Sequence, residues 1–551
     1  MNKVAWLLCV AVSVSAAGVA AGEKPAPTRA DALKDPVLKA MLTELDRNVS
    51  QLQLPGSQKP YFIQYRIEDV EEYSARAEFG AEEGAGHAHH RVAVVTVRVG
   101  DRKSDSSGGA ADGTVEQACL SEDEIALRSV LWAASDQAYK MALAVYAQKQ
   151  AALKQVQTPP QADDFSEEKP LIALSARGKL DVGSVPWPER MMHASGLYRA
   201  AEPVKLAGGV VESSHAEFHA RALTTWLVNS EGTVVRKGAN TFEEEIAVST
   251  QADDGMRLAR SYTSAGTALS DLDAQDVFEN HVASLLGSLG DLRSALLVEE
   301  EYHGPVLLSG DASADTLRTL LGGVTAMRPR MGTEARTMGA FASSYHARVL
   351  PESLEVVDDP SLKSYSGKGL VGAYDVDDEG VPAETVKLVE GGRLQSYLIG
   401  REPVRDFPRS NGHGRAAMMS APHPGLSVLK VTARDGMTDE ALKQRLLEMA
   451  KDRGLDHVYC VETLGGVRSP RLLYRVGADG KRTLVRGAVL ADLDQRALRS
   501  SVEAAGKDLW VANYVEDVPI TVLAPALLMD DVTVKRANDK NAKLPFYPAP
   551  K

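Results

Sequence analysis

Residues 302–308 read YHGPVLL, and residues 311–322 read DASADTLRTLLG. The first stretch is short and apolar, which predicts a buried strand. The second stretch predicts a helix directly after that strand. This helix contains no histidine, cysteine or glutamate. Because a catalytic zinc ion needs three protein ligands and an open position, this helix does not offer the ligands of a catalytic zinc centre.

The composition is that of an ordinary soluble globular protein. The chain has 551 residues, of which 44% are hydrophobic and 25% are charged. This length allows two or three domains with substantial cores. The formal net charge of −13 argues against nucleic-acid binding, which requires a basic surface.

The first 21 residues have the features of a signal peptide. Lys3 provides a short basic region, residues 4–14 are apolar, and residues 19–21 are small, so we expect cleavage near Ala21. The alternative is an uncleaved anchor, but the apolar run is shorter than the ~20 residues that cross a bilayer. The mature protein is therefore expected to be periplasmic or extracellular, with no membrane association after cleavage.

Two cysteines, Cys119 and Cys460, remain after removal of the leader. Exported proteins can form disulfides, but two cysteines so far apart in the chain do not make a disulfide framework. We expect two free thiols rather than one bridge.

The pattern of strands and helices predicts an α+β protein. Residues 22–55 are expected to form a linker and an N-terminal helix. Residues 56–300 combine antiparallel strands with long helices and predict an N-terminal α/β domain. Residues 301–551 consist mostly of short strands separated by turn residues, which predicts a β-rich domain that resembles a barrel or sandwich.

A first histidine pair, His215 and His219, flanks Glu217. On a helix the two imidazoles would share a face, as in metal-binding helices. However, the surrounding residues alternate and are rich in Thr, Val and Trp, which predicts a strand. The two histidines would then stand roughly 13 Å apart, so one ion could not bridge them.

A second cluster, His87, His89 and His90, lies in the glycine-containing segment 80–90. We expect this segment to be a hairpin loop between strands at 61–70 and 91–99. Histidine clusters can bind divalent metals. An exposed loop without ordered carboxylates is the interpretation that we favour.

Two turn segments contain the remaining candidates. Residues 375–380 read DVDDEG, which resembles oxygen ligands for a hard cation but lacks the EF-hand order. The alternative is a turn whose Asp side chains accept hydrogen bonds from backbone N–H groups. Residues 410–415 read SNGHGR, whose glycines permit close approach of a bound chain or simply form a loop. The candidates for a peptide cavity or a turn are Asp377, Asp378, Glu379, Asn411, His413 and Arg415.

An ordered series of short motifs resembles the TldD/PmbA (TldE) family of metallopeptidases. The motifs are DDP at 358–360, DDEGVPA at 377–383, LVEGGRL at 388–394, NG at 411–412, NSEGT at 229–233 and QADDG at 251–255. Each motif is weak, whereas the ordered series from 358 to 415 is specific. The resemblance covers about residues 60–530.

The resemblance implies a division of labour between two types of subunit. The TldD type is similar to a zinc peptidase, with H-E-x-x-x-H on a helix and a cysteine further along. The TldE type lacks that motif, pairs with the TldD type and encloses a cavity for extended or unfolded peptides. The corresponding helix here is 311–322, which has no ligands, and Cys460 has no histidines with which to share a metal. We therefore carry over no catalytic or metal-binding residue and expect no cofactor.

These observations favour an exported TldE-like subunit that is not itself catalytic. Its partner would be a TldD-type zinc peptidase subunit or a second copy of the chain, and its substrate an extended peptide. A second hypothesis is an active zinc metallopeptidase with atypical ligands, drawn from His215, His219, His303, His413 and His423. A third is a non-enzymatic peptide-binding or chaperone-like protein that adds strands to a sheet edge.

Overall fold

The computed structural model describes residues 26–108, 113–155, 162–199, 211–326 and 339–537. The predicted signal peptide lies outside these residues. Within the described ranges, every helix is too short or too polar to cross a membrane.

The N-terminal domain is built on a seven-stranded sheet. Its strands follow the order β3-β2-β1-β5-β6-β4, and β7 also pairs with β6. All pairs are antiparallel except β4 with β6. The strands are β1 (Phe62–Glu78), β2 (Ala81–Arg98), β3 (Thr114–Gln117), β4 (Ile172–Leu174), β5 (Val211–Asn229), β6 (Val234–Gln251) and β7 (Arg257–Gly266).

Helices cover two separate parts of one face of this sheet. They are α1 (Arg29–Ala32), α2 (Pro36–Gln51), α3 (Glu124–Leu153), α4 (Trp187–Gly196) and α5 (Gln275–Ser294). Helices α2 and α3 pack on the first half of β1, where Tyr65 and Ile67 are fully buried. Helix α4 packs on the end of β1, where Ala75 and Ala77 are fully buried, and α5 packs on β6 and β7 in the same apolar cluster. The middle of β1 lies between these two apolar clusters.

The β1–β2 hairpin is longer than the sequence analysis predicts. The expected loop at 80–90 is wrong, because β2 begins at Ala81 and pairs with β1 along its whole length. The turn consists only of Phe79 and Gly80, whose φ angles are 51° and 79°. Positive φ at both positions gives the twist that suits a two-residue hairpin turn. Phenylalanine rarely adopts this conformation, so the turn has no recognisable sequence signal.

The C-terminal domain contains a twelve-stranded sheet. Its main path is β14-β13-β10-β17-β23-β9-β18-β19-β20-β8, and β21 and β22 pair with β23. Parallel pairs occur at β17 with β23, β18 with β9 and β20 with β8, so the sheet is mixed. Its strands are β8 (Leu296–Leu297), β9 (Tyr302–Leu308), β10 (Leu354–Asp358), β13 (Val386–Glu390), β14 (Arg393–Leu394), β17 (Val428–Ala433), β18 (His457–Leu464), β19 (Pro470–Gly477), β20 (Arg482–Arg486), β21 (Ala488–Leu490), β22 (Val502–Tyr514) and β23 (Ile520–Arg536).

The remaining elements surround this sheet. They are α6 (Gly310–Leu321), α7 (Asp439–Asp452), α8 (Gln495–Ser500) and the short strands β11 (Ser364–Tyr365), β12 (Lys368–Gly369), β15 (Gly414–Arg415) and β16 (His423–Pro424). The predicted strand and helix at 302–322 are confirmed as β9 and α6. The α+β class, with a β-rich C-terminal domain, is confirmed as well.

Candidate functional site

A cavity of about 520 Å³ lies between the N-terminal sheet and the loops of the C-terminal domain. The sheet contributes Glu68 from β1, Arg221 from β5 and Lys237 from β6. The facing loops contribute residues of the segments 363–378 and 415–418. The volume falls within the roughly 300–1,000 Å³ that is typical of ligand pockets. This interdomain cavity is the candidate functional site.

An ion pair between the domains forms one wall of the cavity. Lys237 Nζ donates hydrogen bonds to Asp378 Oδ1 at 2.7 Å and to the carbonyl oxygens of Val376 and Asp377. Burial by itself raises the pKa of Asp378, but the charges of Lys237, Arg415 and Arg66 lower it to about 2. Asp378 is therefore a permanent anion at neutral pH.

Asp377 and Glu379 lie behind this wall and stabilise the turn. Asp377 Oδ1 accepts hydrogen bonds from the backbone N–H groups of Glu379 and Val381, and its Oδ2 accepts from Gly414 N. Glu379 Oε2 accepts from Arg401 N at 2.6 Å. Burial and the nearby charge of Asp377 raise the pKa of Glu379. The carboxylates of this turn are used by backbone donors, as in an Asx turn.

Asn411 and His413 also lie in the wall rather than on the cavity surface. Asn411 Oδ1 accepts a hydrogen bond from Ile399 N at 2.9 Å. His413 is fully buried, and its Nε2 lies 3.2 Å from Asp358 Oδ1. Ser427 Oγ bonds the same carboxylate. These side chains hold the 410–415 segment against the sheet.

Arg415 differs from its neighbours because it lines the cavity. Its guanidinium donates hydrogen bonds to the carbonyl oxygens of Leu426 and Pro519 and lies 4.5 Å from the ring centroid of Tyr374. Of the six candidates from the sequence, the structure thus places Asp378 and Arg415 on the cavity. The other four support its wall.

The residues that the N-terminal sheet contributes to the cavity were not predicted from the sequence. Glu68, Arg221 and Lys237 belong to no motif, and they come from three different strands. The available signal was the alternation in β1, where buried Tyr65 and Ile67 alternate with charged side chains. Such alternation predicts that one face of the strand is polar, but not what that face meets.

Helix α6 begins at the C-terminal end of β9. Ser309 is the N-cap: its hydroxyl accepts from Ala312 N and donates to the Glu462 carbonyl oxygen. Gly310 lies directly beneath Trp510, since a Cβ at this glycine would stand 2.6 Å from Trp510 Cβ. The start of the helix is therefore closely packed against β22.

The first turns of α6 contain two carboxylates, Asp311 and Asp315, four residues apart. Burial and the charge of Asp315 raise the pKa of Asp311 to about 6, while Arg260 acts in the opposite direction. Asp315 Oδ1 accepts a hydrogen bond from the Tyr514 hydroxyl at 2.8 Å. The groups near the start of this helix that could bind a metal ion are the carboxylates of Asp311 and Asp315 and the phenol of Tyr514, and the guanidinium of Arg260 lies near them.

The pair His215 and His219 lies on strand β5, as predicted. His215 Nδ1 lies 3.4 Å from Glu83, and His219 Nε2 lies 3.7 Å from Glu72. Across the described parts of the chain, the one group of three side chains that could hold a metal contains neither histidine. His303, His413 and His423 also lie outside that group.

The C-terminal domain matches a domain of a known protein family. Residues 301–536 match the family model described as the PmbA/TldA metallopeptidase C-terminal domain. The C-terminal domain therefore resembles that of the TldD/PmbA proteins. The matched range begins just before β9 and ends with β23, so it includes α6 and the whole wall of the cavity on the C-terminal side.

Two curated proteins are similar to this chain over shorter stretches. The chain is 32% identical over 127 residues to a protein named metalloprotease from Archaeoglobus fulgidus, covering 23% of this chain and 26% of that one. It is 31% identical over 104 residues to metalloprotease MJ0996 from Methanocaldococcus jannaschii, covering 19% and 22%. The chain thus spans about a quarter of the length of these curated relatives.

The fold is similar to that of a solved TldE structure. TldE from Thermococcus kodakarensis superposes with a TM-score of 0.56 at 14% identity, over 90% of this chain and 100% of that one. At this identity the likeness establishes a shared fold.

The residues of α6 do not fit the zinc ion that the TldD/PmbA resemblance implies at this helix. A zinc centre of a peptidase uses imidazole, carboxylate or thiolate ligands around an open position. Here the helix has no His, Cys or Glu, and the guanidinium of Arg260 acts on Asp311, where a cation would have to bind. The positive charge of Arg260 opposes the binding of a metal cation at Asp311. No zinc-dependent step is assigned to this helix.

Proposed function

We propose that this chain is an exported, non-catalytic TldE-like subunit that helps to enclose extended or unfolded peptides for a TldD-type zinc metallopeptidase. The single observation that carries the proposal is the chemistry of α6. This helix follows β9 in the matched family domain, but its first turns carry two aspartates, Asp311 and Asp315, and Asp311 interacts with the charge of Arg260. A match to the family domain whose helix α6 contains no histidine, cysteine or glutamate supports an accessory role.

The interdomain cavity supports a peptide as the ligand. Its walls contain cations such as Arg221 and Arg415, and anions such as Glu68 and Asp378. Small or hydroxylated residues, among them Gly238 and Thr241, leave room between the charged groups. A cavity lined by positive and negative side chains, with small uncharged residues between them, can accept a polypeptide of varied sequence. A small ligand of one charge would instead favour walls of one sign.

The isolated chain and its partner can be tested separately. The mature protein is purified and assayed for cleavage of casein and of unfolded peptides. The assays use the chain alone, a TldD-type paralogue with H-E-x-x-x-H alone, and both together. We expect no cleavage by this chain, and faster cleavage by the pair than by the paralogue. A pull-down from the native periplasm should recover that paralogue.

A matched pair of variants tests the cavity. Arg221→Ala removes a cation that lines it, whereas Arg434→Ala removes an exposed arginine that pairs with Glu355 outside it. We expect Arg221→Ala to raise the KM of the complex for peptides without dissociating it, and Arg434→Ala to leave KM unchanged. Equal kinetics for both variants would place the peptide elsewhere.

Two other outcomes would replace the proposal. Peptide cleavage by the isolated chain that is lost with a chelator would make it an active metallopeptidase with atypical ligands. Saturable binding of unfolded peptides without cleavage, together with recovery of no paralogue, would make it a peptide-binding or chaperone-like protein. Fractionation of the native cells tests export, since a cytoplasmic mature chain would contradict it.

A further inference from the structure

Asp69, Glu71 and His89 meet on the face of the N-terminal sheet that points away from the cavity. Glu71 lies directly opposite His89 in the β1–β2 ladder, and Asp69 lies opposite Arg91. Side chains two residues apart on a strand share a face, and directly opposite residues on paired strands share it too. Glu68, the residue that lines the cavity, points to the other face.

One potential ligand atom from each of the three side chains lies within 4.8 Å of the other two. His89 Nε2 is 3.0 Å from Asp69 Oδ1. Zinc bonds of about 2.0–2.2 Å to nitrogen and oxygen place neighbouring ligand atoms roughly 3.3 Å apart. Small side-chain rotations therefore suffice to bring all three atoms to one ion.

The backbone beneath these side chains is a regular strand. The sequence pattern predicts an exposed loop without ordered carboxylates around His89, and that prediction argued against metal binding. In the structure, β1 and β2 pair without a break through residues 69–71 and 89–91, and the register irregularity lies at Arg76 and Ala77. Ligands on a rigid scaffold are held near one geometry, which lowers the entropic cost of binding.

The cluster is also open to solvent. Asp69 is buried, whereas Glu71 and His89 are exposed. They lie between the part of β1 beneath α2 and α3 and the part packed with α4. An ion can therefore reach the three side chains, and water can complete its coordination shell.

We propose that Asp69, Glu71 and His89 form a binding site for a divalent first-row metal ion of the zinc class. One imidazole and two carboxylates suit such an ion, since imidazole binds zinc, nickel and iron well and zinc also accepts the oxygens of Asp and Glu. His89 would bind through Nε2 as the tautomer that carries its proton on Nδ1, giving up its hydrogen bond to Asp69. The site does not rest on the proposed function.

Arg91 positions one of the ligands. Its Nε donates to Asp69 Oδ2 at 2.5 Å, and its guanidinium also bonds the Cys119 carbonyl oxygen. This contact orients Asp69 so that Oδ1 faces His89. The positive charge of Arg91 weakens the attraction for a cation, so the binding is weaker than at a site with uncompensated carboxylates.

Calorimetric titration of the mature, tag-free chain with Zn²⁺ tests the site. We expect one ion per chain for the wild type. His89→Ala and Glu71→Gln should each weaken binding by more than about tenfold, because even the outer partners of metal ligands change affinity by roughly 10–100-fold. His90→Ala is the matched control, since His90 pairs with Val70 and points to the opposite face.

The melting temperature of each variant in EDTA checks that it is folded, and the rise in melting temperature with added Zn²⁺ gives a second measurement of binding. Wild-type protein that binds no Zn²⁺, or His89→Ala that binds as tightly as His90→Ala, would overturn the proposal. Peptidase activity does not enter this test, so its outcome is independent of the proposed function.

Discussion

Lys237 Nζ lies 2.7 Å from Asp378 Oδ1, and this contact joins the N-terminal sheet to the acidic turn of the C-terminal domain. The same ammonium group donates to the carbonyl oxygens of Val376 and Asp377. One side chain from β6 therefore satisfies three acceptors of a turn that lies about 140 residues later in the chain. The wall of the cavity depends on this contact.

Replacement of Lys237 by methionine should destabilise the protein at neutral pH. It leaves the largely buried carboxylate of Asp378 without its nearest cation, and we expect the free energy of unfolding to fall by about 2–3 kcal/mol. Urea denaturation measures this loss. The double variant Lys237→Met with Asp378→Asn should recover part of it, because the uncompensated charge is gone.

The effect of Lys237→Met should depend on pH. The folded pKa of Asp378 is lowered to about 2, so its stabilising contribution is present above the unfolded value of 3.8 and is lost as pH falls from about 4 to 2. The difference between wild type and Lys237→Met should therefore shrink across that window. A difference that stays constant down to pH 3 would contradict the assignment.

Gly412→Ala should be more damaging than Gly56→Ala, although both glycines have positive φ, at 73° and 78°. The left-handed conformation costs alanine roughly 1–2 kcal/mol at either position. At Gly412 a Cβ would also collide with the Pro382 carbonyl oxygen, whereas at Gly56 no atom lies within 4 Å. We expect an additional loss of about 1–3 kcal/mol at Gly412, measured by urea denaturation. Equal losses would show that the 410–415 segment relaxes freely.

Asp311→Asn should stabilise the protein at high pH. Burial, with the charge of Asp315, raises the pKa of Asp311 to about 6, so the folded state retains a proton that the unfolded state releases above pH 4. The contribution of Asp311 to stability therefore falls as pH rises from about 4 to 6. At pH 8 we expect the variant to gain on the order of 1 kcal/mol after solvent screening, and at pH 4 almost nothing.

The control for Asp311→Asn is Asp253→Asn, whose side chain is 97% exposed. It should change the free energy of unfolding by less than about 0.5 kcal/mol, as is usual for a surface substitution. A loss of stability in Asp311→Asn at pH 8 would show that the ionised carboxylate has a favourable partner, with Arg260 as the candidate.

Cys460 should react slowly with a thiol reagent in the folded protein. Cys119 and Cys460 are both free. Burial raises the pKa of Cys460 to about 11, so only about one thiol in a thousand is ionised at pH 8. In a Cys119→Ala variant of the mature chain, reaction with Ellman's reagent should be slow in buffer and rapid in guanidinium. Fast reaction in buffer would indicate that the strand β18 opens.

Short stretches of sequence were sufficient to predict several strands, helices and turns. The strand and helix at 302–322 were predicted because apolar patterning is a property of consecutive residues. The acidic turn was likewise predictable as a hydrogen-bonded turn, since the backbone donors to Asp377 Oδ1 lie within four residues of it. The length of the β1–β2 hairpin was not predictable, because its turn at Phe79 and Gly80 lacks the Asn-Gly or Asp-Gly pair that usually marks a two-residue hairpin turn.

The amino-acid sequence alone determined that α6 has no histidine, cysteine or glutamate, because the residue types in a helix do not depend on how it packs. Only the tertiary structure decided that Lys237 reaches Asp378 and that Asp69, Glu71 and His89 meet on one face. The first contact joins separate domains, and the second depends on strand register. In a strand, a shift of one residue turns every side chain to the opposite face, so register is set by the whole packed sheet rather than by neighbouring residues.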